Sequence, residues 1–210
     1  MLLAIDTSAG TSVAVVDRQR GVVCEHGEPD TRRHAEVIGE LISRSLADAA
    51  VAVTELSGVA VGMGPGPFTG LRVGIAAGQA FALGAGRPVV RVVSHDAIAY
   101  GHYGSGGSGP LLVVTDARRR EVYFSTYSGV DDAGLPVRDG EPRLARPDEL
   151  EVLVPAYSRH LRLDAETVSA GDAGMLAETL FAHSRPFAGA QPLYLRLPDA
   201  VPSSGPKRVS

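Results

Sequence analysis

The sequence predicts an α/β protein of two lobes, each a mixed sheet flanked by helices. Three observations carry the prediction. Residues 1–100 read in order as three antiparallel-type strands, a helix, a strand, a helix and a strand. A Gly-Ser-rich stretch, 101–110, then breaks the pattern. Beyond it, residues 101–197 repeat a loose strand–strand–helix order, and 198–210 is a Pro/Ser/Gly-rich tail expected to be disordered.

Leu2–Ile5 is an apolar strand ended by the turn formers Asp6-Thr7-Ser8-Ala9-Gly10. Thr11–Asp17 and Val22–Glu28 follow as strands around the turn Arg18–Gly21. A helix over 33–50 has Ile38, Leu41, Ile42 and Ser45 on one stripe, with Thr31 as its expected N-cap. Gly58–Met63 is a buried strand, and a Gly-Pro-Gly turn leads into a helix over 68–84. Pro88–Val93 is another strand, and a helix runs from Ser94 to about Tyr100.

In the second half, Leu111–Ala117 and Glu121–Tyr127 form a hairpin whose turn is Arg118-Arg119-Arg120, read as solvated arginines. Pro136–Leu144 is a strand or extended loop, Pro147–Leu153 a short helix and Val168–Gly171 a short strand. Gly174–Ser184 is the last helix, with Asp172 as its expected cap.

A formal net charge of −4 argues against independent nucleic-acid binding, which needs a concentrated basic face. The single cysteine, Cys24, excludes an intramolecular disulfide and any cysteine-only metal cage, and its strand position suits a buried structural thiol better than a nucleophile. No apolar run approaches a membrane span, and the N-terminus lacks the basic start of a signal peptide. A cytoplasmic protein is expected.

Glycine recurs at 66, 70, 74 and 78, and the last three fall inside the helix 68–84. Each helical glycine costs roughly 1 kcal/mol relative to alanine, and positions four apart share a face. The stripe is therefore a bare backbone groove that something packs against closely. A helix layer from a neighbouring subunit and the first helix of the same chain are both consistent with the spacing.

Other motifs carry less chemistry. Asp6-Thr7-Ser8 at a strand–turn–strand junction fits either a nucleotide-phosphate turn with its aspartate near a metal or a plain Asx-type turn. Gly171-Asp172 fits either a nucleotide contact or a helix start. His34 and His95 have Ile38 and Ala99 four residues on, so neither forms a metal-binding i, i+4 pair, and both read as capping or surface residues. A carboxylate pair of Asp96 and Asp116 stays open. No nucleophile elbow or zinc-protease pattern occurs.

The run Gly64-Pro65-Gly66-Pro67-Phe68-Thr69-Gly70-Leu71-Arg72-Val73-Gly74 resembles the signature of the TsaB (YeaZ) family. Leu3–Ser8, His34-Ala35-Glu36, Asp116-Ala117-Arg118-Arg119, Glu121-Val122-Tyr123 and Pro192–Arg196 extend the resemblance over about 2–197. Pro67 replaces the family's serine and suits the first turn of a helix. The resemblance implies an actin-like, sugar-kinase-like (ribonuclease H-like) fold. It also implies a part in making N6-threonylcarbamoyladenosine at position 37 of tRNAs reading ANN codons.

The resemblance further implies a non-catalytic partner of the metal-bearing transferase TsaD, with the ATPase TsaE joining the larger complex and tRNA engaged indirectly. TsaD holds its metal through a His-x-x-x-His pair, of which this chain keeps only His95. The expected docking surface is made by helices 33–50 and 68–84 through His34, Ile38, Leu41, Ile42, Phe68, Gly70, Leu71, Gly74, Ala77 and Gly78, with a homodimer when TsaD is absent. Asp6, Thr7, Ser8, Gly171 and Asp172 are the nucleotide candidates. No tightly bound cofactor or metal is expected, with ATP or ADP entering only in the assembled complex. The rival reading is a kinase or ATPase acting in the interlobe cleft. A peptidase is disfavoured because neither a metal set nor a nucleophile–base motif is present.

Overall fold

The computed structural model describes residues 1–196, so the predicted disordered tail lies outside the described residues. The first sheet contains β1 (Leu2–Asp6), β2 (Thr11–Asp17), β3 (Gly21–Glu28), β4 (Gly58–Gly62) and β5 (Val89–Val92). Its order is β3-β2-β1-β4-β5, with β1–β2–β3 antiparallel and β1–β4–β5 parallel. The central strands β1 and β4 are buried along their whole lengths, which explains why Leu-Leu-Ala-Ile and Val-Ala-Val are continuous apolar runs.

Helix α1 (His34–Asp48) links β3 to β4, helix α2 (Phe68–Ala85) links the parallel β4 and β5, and both cover one face of this sheet. Leu3, Ile5, Val13 and Val15 meet Val37, Ile38, Leu41, Leu71 and Ile75 there. Helix α1 begins after Arg33 without a side-chain cap. The expected cap, Thr31, instead accepts a hydrogen bond from Arg118 of the second lobe.

The second sheet has the order β10-β6-β7-β8, with β9 also on β7. Its strands are β6 (Leu111–Asp116), β7 (Val122–Val130), β8 (Pro136–Arg138), β9 (Arg143–Ala145) and β10 (Leu161–Asp164). The single element expected over 136–144 is thus two short strands, and the strand expected at 168–171 is absent. Residues 170 and 171 open α5 (Ala170–Ala182) instead, whose cap is Ser169: its hydroxyl accepts from the Asp172 N–H at 3.0 Å. Asp172 is an interior residue of the first turn. A short helix, α4 (Leu150–Leu153), packs on the outer face of this sheet.

Between the sheets lie α3 (Ser94–Gly104) and α5. Helix α3 extends one turn beyond its predicted end and shortens the expected seam. Helix α5 belongs by sequence to the second lobe, yet it packs along β1 and β2 of the first sheet as well as on α3. One central core therefore joins Ala4, Ala14 and Ala60 of the first sheet to Leu111, Val113 and Tyr127 of the second through Ala97, Ala173 and Leu176. After α5 the chain stays with the first lobe: the Ala188 N–H donates to Arg91 O and the Leu193 N–H to Met63 O, both at 2.9 Å. No helix among the described residues is long and apolar enough to cross a membrane.

Candidate docking face and interlobe cleft

The glycine stripe is filled from within the same chain. A Cβ added at Gly70 would lie 2.7 Å from Thr7 O and 2.9 Å from His34 Nε2; at Gly74 it would lie 2.1 Å from Thr7 Oγ1, and at Gly78 2.5 Å from a Val61 methyl. The turn after β1 and strand β4 occupy the groove, and Thr7 Oγ1 donates to Gly70 O at 2.8 Å across it. The stripe lets α2 sit unusually close to its own sheet, so it is no open platform for a visiting chain.

Most of the expected docking residues lie inside the lobe. His34, Ile38, Leu41, Gly70, Leu71, Gly74 and Gly78 are all buried inside the lobe. Only Ile42, Phe68 and Ala77 reach the surface, each half-buried. Phe68 rests on Tyr194 at 4.8 Å between ring centroids and lies under the Arg72 guanidinium at 3.9 Å. His34 is no surface cap: its Nδ1 is 2.7 Å from Thr11 Oγ1, and burial lowers its pKa.

The opposite side of the two helices faces solvent and mixes small and apolar residues with the exposed Glu36, Glu40, Arg72 and Gln79. Thr69, Ala76, Ala80 and Leu83 are exposed on α2, with Val73 and Ala77 half-buried beside them; Leu83 is 84% exposed. On α1, Ala35 and Gly39 are exposed next to the half-buried Ile42 and Leu46. A Cβ at Gly39 would meet nothing within 4 Å. Nothing inside the lobe requires glycine there, although it costs about 1 kcal/mol of helix stability. Gly39→Ala is accordingly expected to raise the monomer's stability by about 0.5–1 kcal/mol in a urea titration.

The nucleotide candidates do not assemble as a site. Both Asp6 carboxylate oxygens are taken: the Ser8 N–H donates to Oδ1 at 2.7 Å, Ser8 Oγ donates to the same oxygen, and Ser94 Oγ donates to Oδ2 at 2.5 Å. Burial raises the Asp6 pKa and these donors oppose it. The Thr7 hydroxyl is spent on Gly70. Gly171 packs on Val22 and Glu25 of β3, and Asp172 packs on Gly101 of α3. Burial, with Glu25 nearby, lifts the Asp172 carboxyl to about 6.

Between the lobes lies a cleft of about 490 Å³ lined by Ser8, Asp30, Thr31, Arg32, Asp116, Arg118 and Glu166, among others. Three of these are carboxylates, and both guanidiniums already have partners. Arg32 holds Asp30 through two bonds of 3.0 and 3.1 Å, while Arg118 bonds Thr31 and lies 3.5 Å from Asp116. Such a lining suits polyphosphate poorly. Arg118, Arg119 and Arg120 all have positive φ, of 65°, 53° and 62°. The hairpin tip is thus a tight left-handed turn that reaches back to the first lobe.

His95 is fully buried between the lobes, contrary to its reading as a capping or surface residue. Its Nδ1 is 2.8 Å from Ser125 Oγ and its Nε2 2.9 Å from Thr115 Oγ1, and burial lowers its pKa to about 3. Both ring nitrogens are occupied, and the position four residues on is the buried Ala99. Asp96 pairs with Arg138 at 2.8 Å and accepts from Tyr127 at 2.8 Å, whereas Asp116 lines the cleft; the two carboxylates form no pair.

Comparison with known proteins adds kinship to this geometry. Residues 7–135 match the family model described as TsaD: tRNA N6-adenosine threonylcarbamoyltransferase. An uncharacterized protein of Mycobacterium tuberculosis is 40% identical over 96% of this chain and 94% of its own length. The Escherichia coli tRNA threonylcarbamoyladenosine biosynthesis protein TsaB is 31% identical over 81% of this chain and 70% of its own. A Pseudomonas aeruginosa crystal structure described as similar to peptidase YEAZ superposes with a TM-score of 0.77 at 29% identity, covering 93% of this chain and 99% of the other. A second one, YeaZ from the same organism, gives 0.72 at 29% identity over 87% and 92%.

Proposed function

This chain belongs to the TsaB (YeaZ) family, with its role in tRNA threonylcarbamoyladenosine biosynthesis, and from that premise we propose that it acts there as a non-catalytic scaffold docking the transferase subunit TsaD. The modified base would be adenosine 37 of ANN-decoding tRNAs, with tRNA engaged through the complex. The single observation that carries the reading is the solvent-facing side of α1 and α2, where Ala35, Gly39, Ala76, Ala80 and Leu83 are exposed among polar residues and glycine is unneeded at 39. Small residues at 35, 39, 76 and 80 let two more helices approach closely there, with Leu83 as an apolar contact. An interface of about 1,200–2,000 Å² is expected.

A self-complementary version of the same patch closes a homodimer when TsaD is absent. ATP or ADP and the ATPase TsaE enter at the level of the assembled complex. The hydrogen-bonded Asp6, Thr7 and Ser8 and the paired Asp30 support this over the kinase reading.

The test is Ala76→Arg, which places a charged, bulky side chain on the outer face and touches no internal contact. We expect calorimetry to show binding to TsaD weakened at least about a hundredfold, with the melting curve unchanged. Wild-type affinity in this variant overturns the docking face. ATP turnover by the isolated chain would instead favour the kinase.

A further inference from the structure

We propose that Cys24, His26 and Asp48 form a binding site for one zinc-class divalent cation at the outer edge of the first sheet. Cys24 and His26 are two residues apart on β3, so their side chains leave the same side of the strand. Helix α1 packs against β3, and Asp48 is its last residue. The ligand atoms of the three residues lie within 4.8 Å of one another, and among the described residues no other trio of His, Cys, Asp or Glu converges this way.

The geometry around one atom decides the reading. Cys24 Sγ is 3.3 Å, and Asp48 Oδ2 2.8 Å, from the same ring nitrogen, His26 Nε2. One nitrogen carries at most one proton, so it serves one of these partners at a time. A thiol–imidazole–carboxylate relay needs its two partners on different ring nitrogens; this arrangement is therefore not a nucleophile with its base. A cation among the three accepts a lone pair from each.

Metal bonds of about 2.3 Å to sulfur and 2.0–2.2 Å to nitrogen and oxygen place tetrahedral ligand atoms about 3.3–3.7 Å apart. The sulfur–nitrogen separation already has that value. The carboxylate needs to withdraw by about half an ångström, and its side chain is 52% exposed. A thiolate, an imidazole and one carboxylate suit zinc, cobalt or nickel; magnesium and calcium prefer all-oxygen sets. The partial negative charge at the end of α1 favours a cation there. Arg44, 3.6 Å from Asp48 Oδ2 on an exposed side chain, has to swing aside. A fourth position stays open to water. The bound ion would tie the last turn of α1 to the edge strand β3.

The full chain, reduced and stripped with chelator, is titrated with Co²⁺ and then Zn²⁺. Because Cys24 is the only cysteine, a thiolate-to-cobalt charge-transfer band reports on this site alone. We expect the band to saturate at one equivalent, to vanish on adding Zn²⁺, and to be absent in Cys24→Ser. Zn²⁺, and not Mg²⁺, should raise the melting temperature. His26→Ala and Asp48→Asn should each weaken Zn²⁺ binding by more than about tenfold. Asp48→Asn keeps an acceptor for His26 and so tests the ligand role without disturbing the helix end. Absence of the band, or Zn²⁺ affinity unchanged in His26→Ala and Asp48→Asn, overturns the site.

Discussion

Gly74→Leu is expected to cost more than about 4 kcal/mol and to yield a chain that is largely unfolded or insoluble. The backbone of α2 lies against Thr7, which is 1% exposed, and even a Cβ would be 2.1 Å from its hydroxyl oxygen. Relief requires α2 to lift off the sheet. That movement breaks the Thr7–Gly70 bond and opens the layer around Leu71 and Ile75. Ala76→Arg, two residues along on the solvent side, is the matched control. Urea unfolding of both variants separates the two sides of the helix, and a wild-type midpoint for Gly74→Leu sinks the close-packing account.

The second large effect is an acid limb set by His95. The folded protein holds this imidazole neutral down to about pH 3, whereas the unfolded chain protonates it near 6.5. Its contribution is therefore fully present above 6.5 and is lost as pH falls toward 3. Between pH 6.5 and 4.5 the loss amounts to about 2–3 kcal/mol. Asp172, raised to about 6, has the opposite sign, because its contribution is present below the unfolded value and lost as pH rises. His95→Gln keeps hydrogen-bonding groups for Thr115 and Ser125 and removes the titration. Its stability should fall less than the wild type's between pH 7 and 4.5 in urea titrations; parallel losses would remove His95 as the cause.

These outcomes mark where local sequence is informative. Strands β1, β2, β4 and β5 were legible because apolar runs and turn residues are local signals. Strand β10 was not: Leu161-Arg162-Leu163-Asp164 is four alternating residues on a sheet edge, paired only with β6. The glycine period announced a close approach, but spacing cannot name what approaches. The occupant, Thr7, lies 63 residues before Gly70. His34 and His95 looked peripheral because their partners Thr11, Thr115 and Ser125 are 20 to 30 residues away. Gly39 has no period at all and gains meaning only when its surroundings are seen to be empty.

The return of α5 to the first sheet has a consequence for how the molecule is made. The inner side of β1 and β2 finds its cover in residues 170–182, while the N–H groups of 188 and 193 bond Arg91 of β5 and Met63 just beyond β4. A nascent chain that has emerged only as far as Gly104 carries five strands with one greasy surface still wet. That surface is covered only once residues 170–182 are available, so residues 1–104 alone leave the inner side of β1 and β2 exposed.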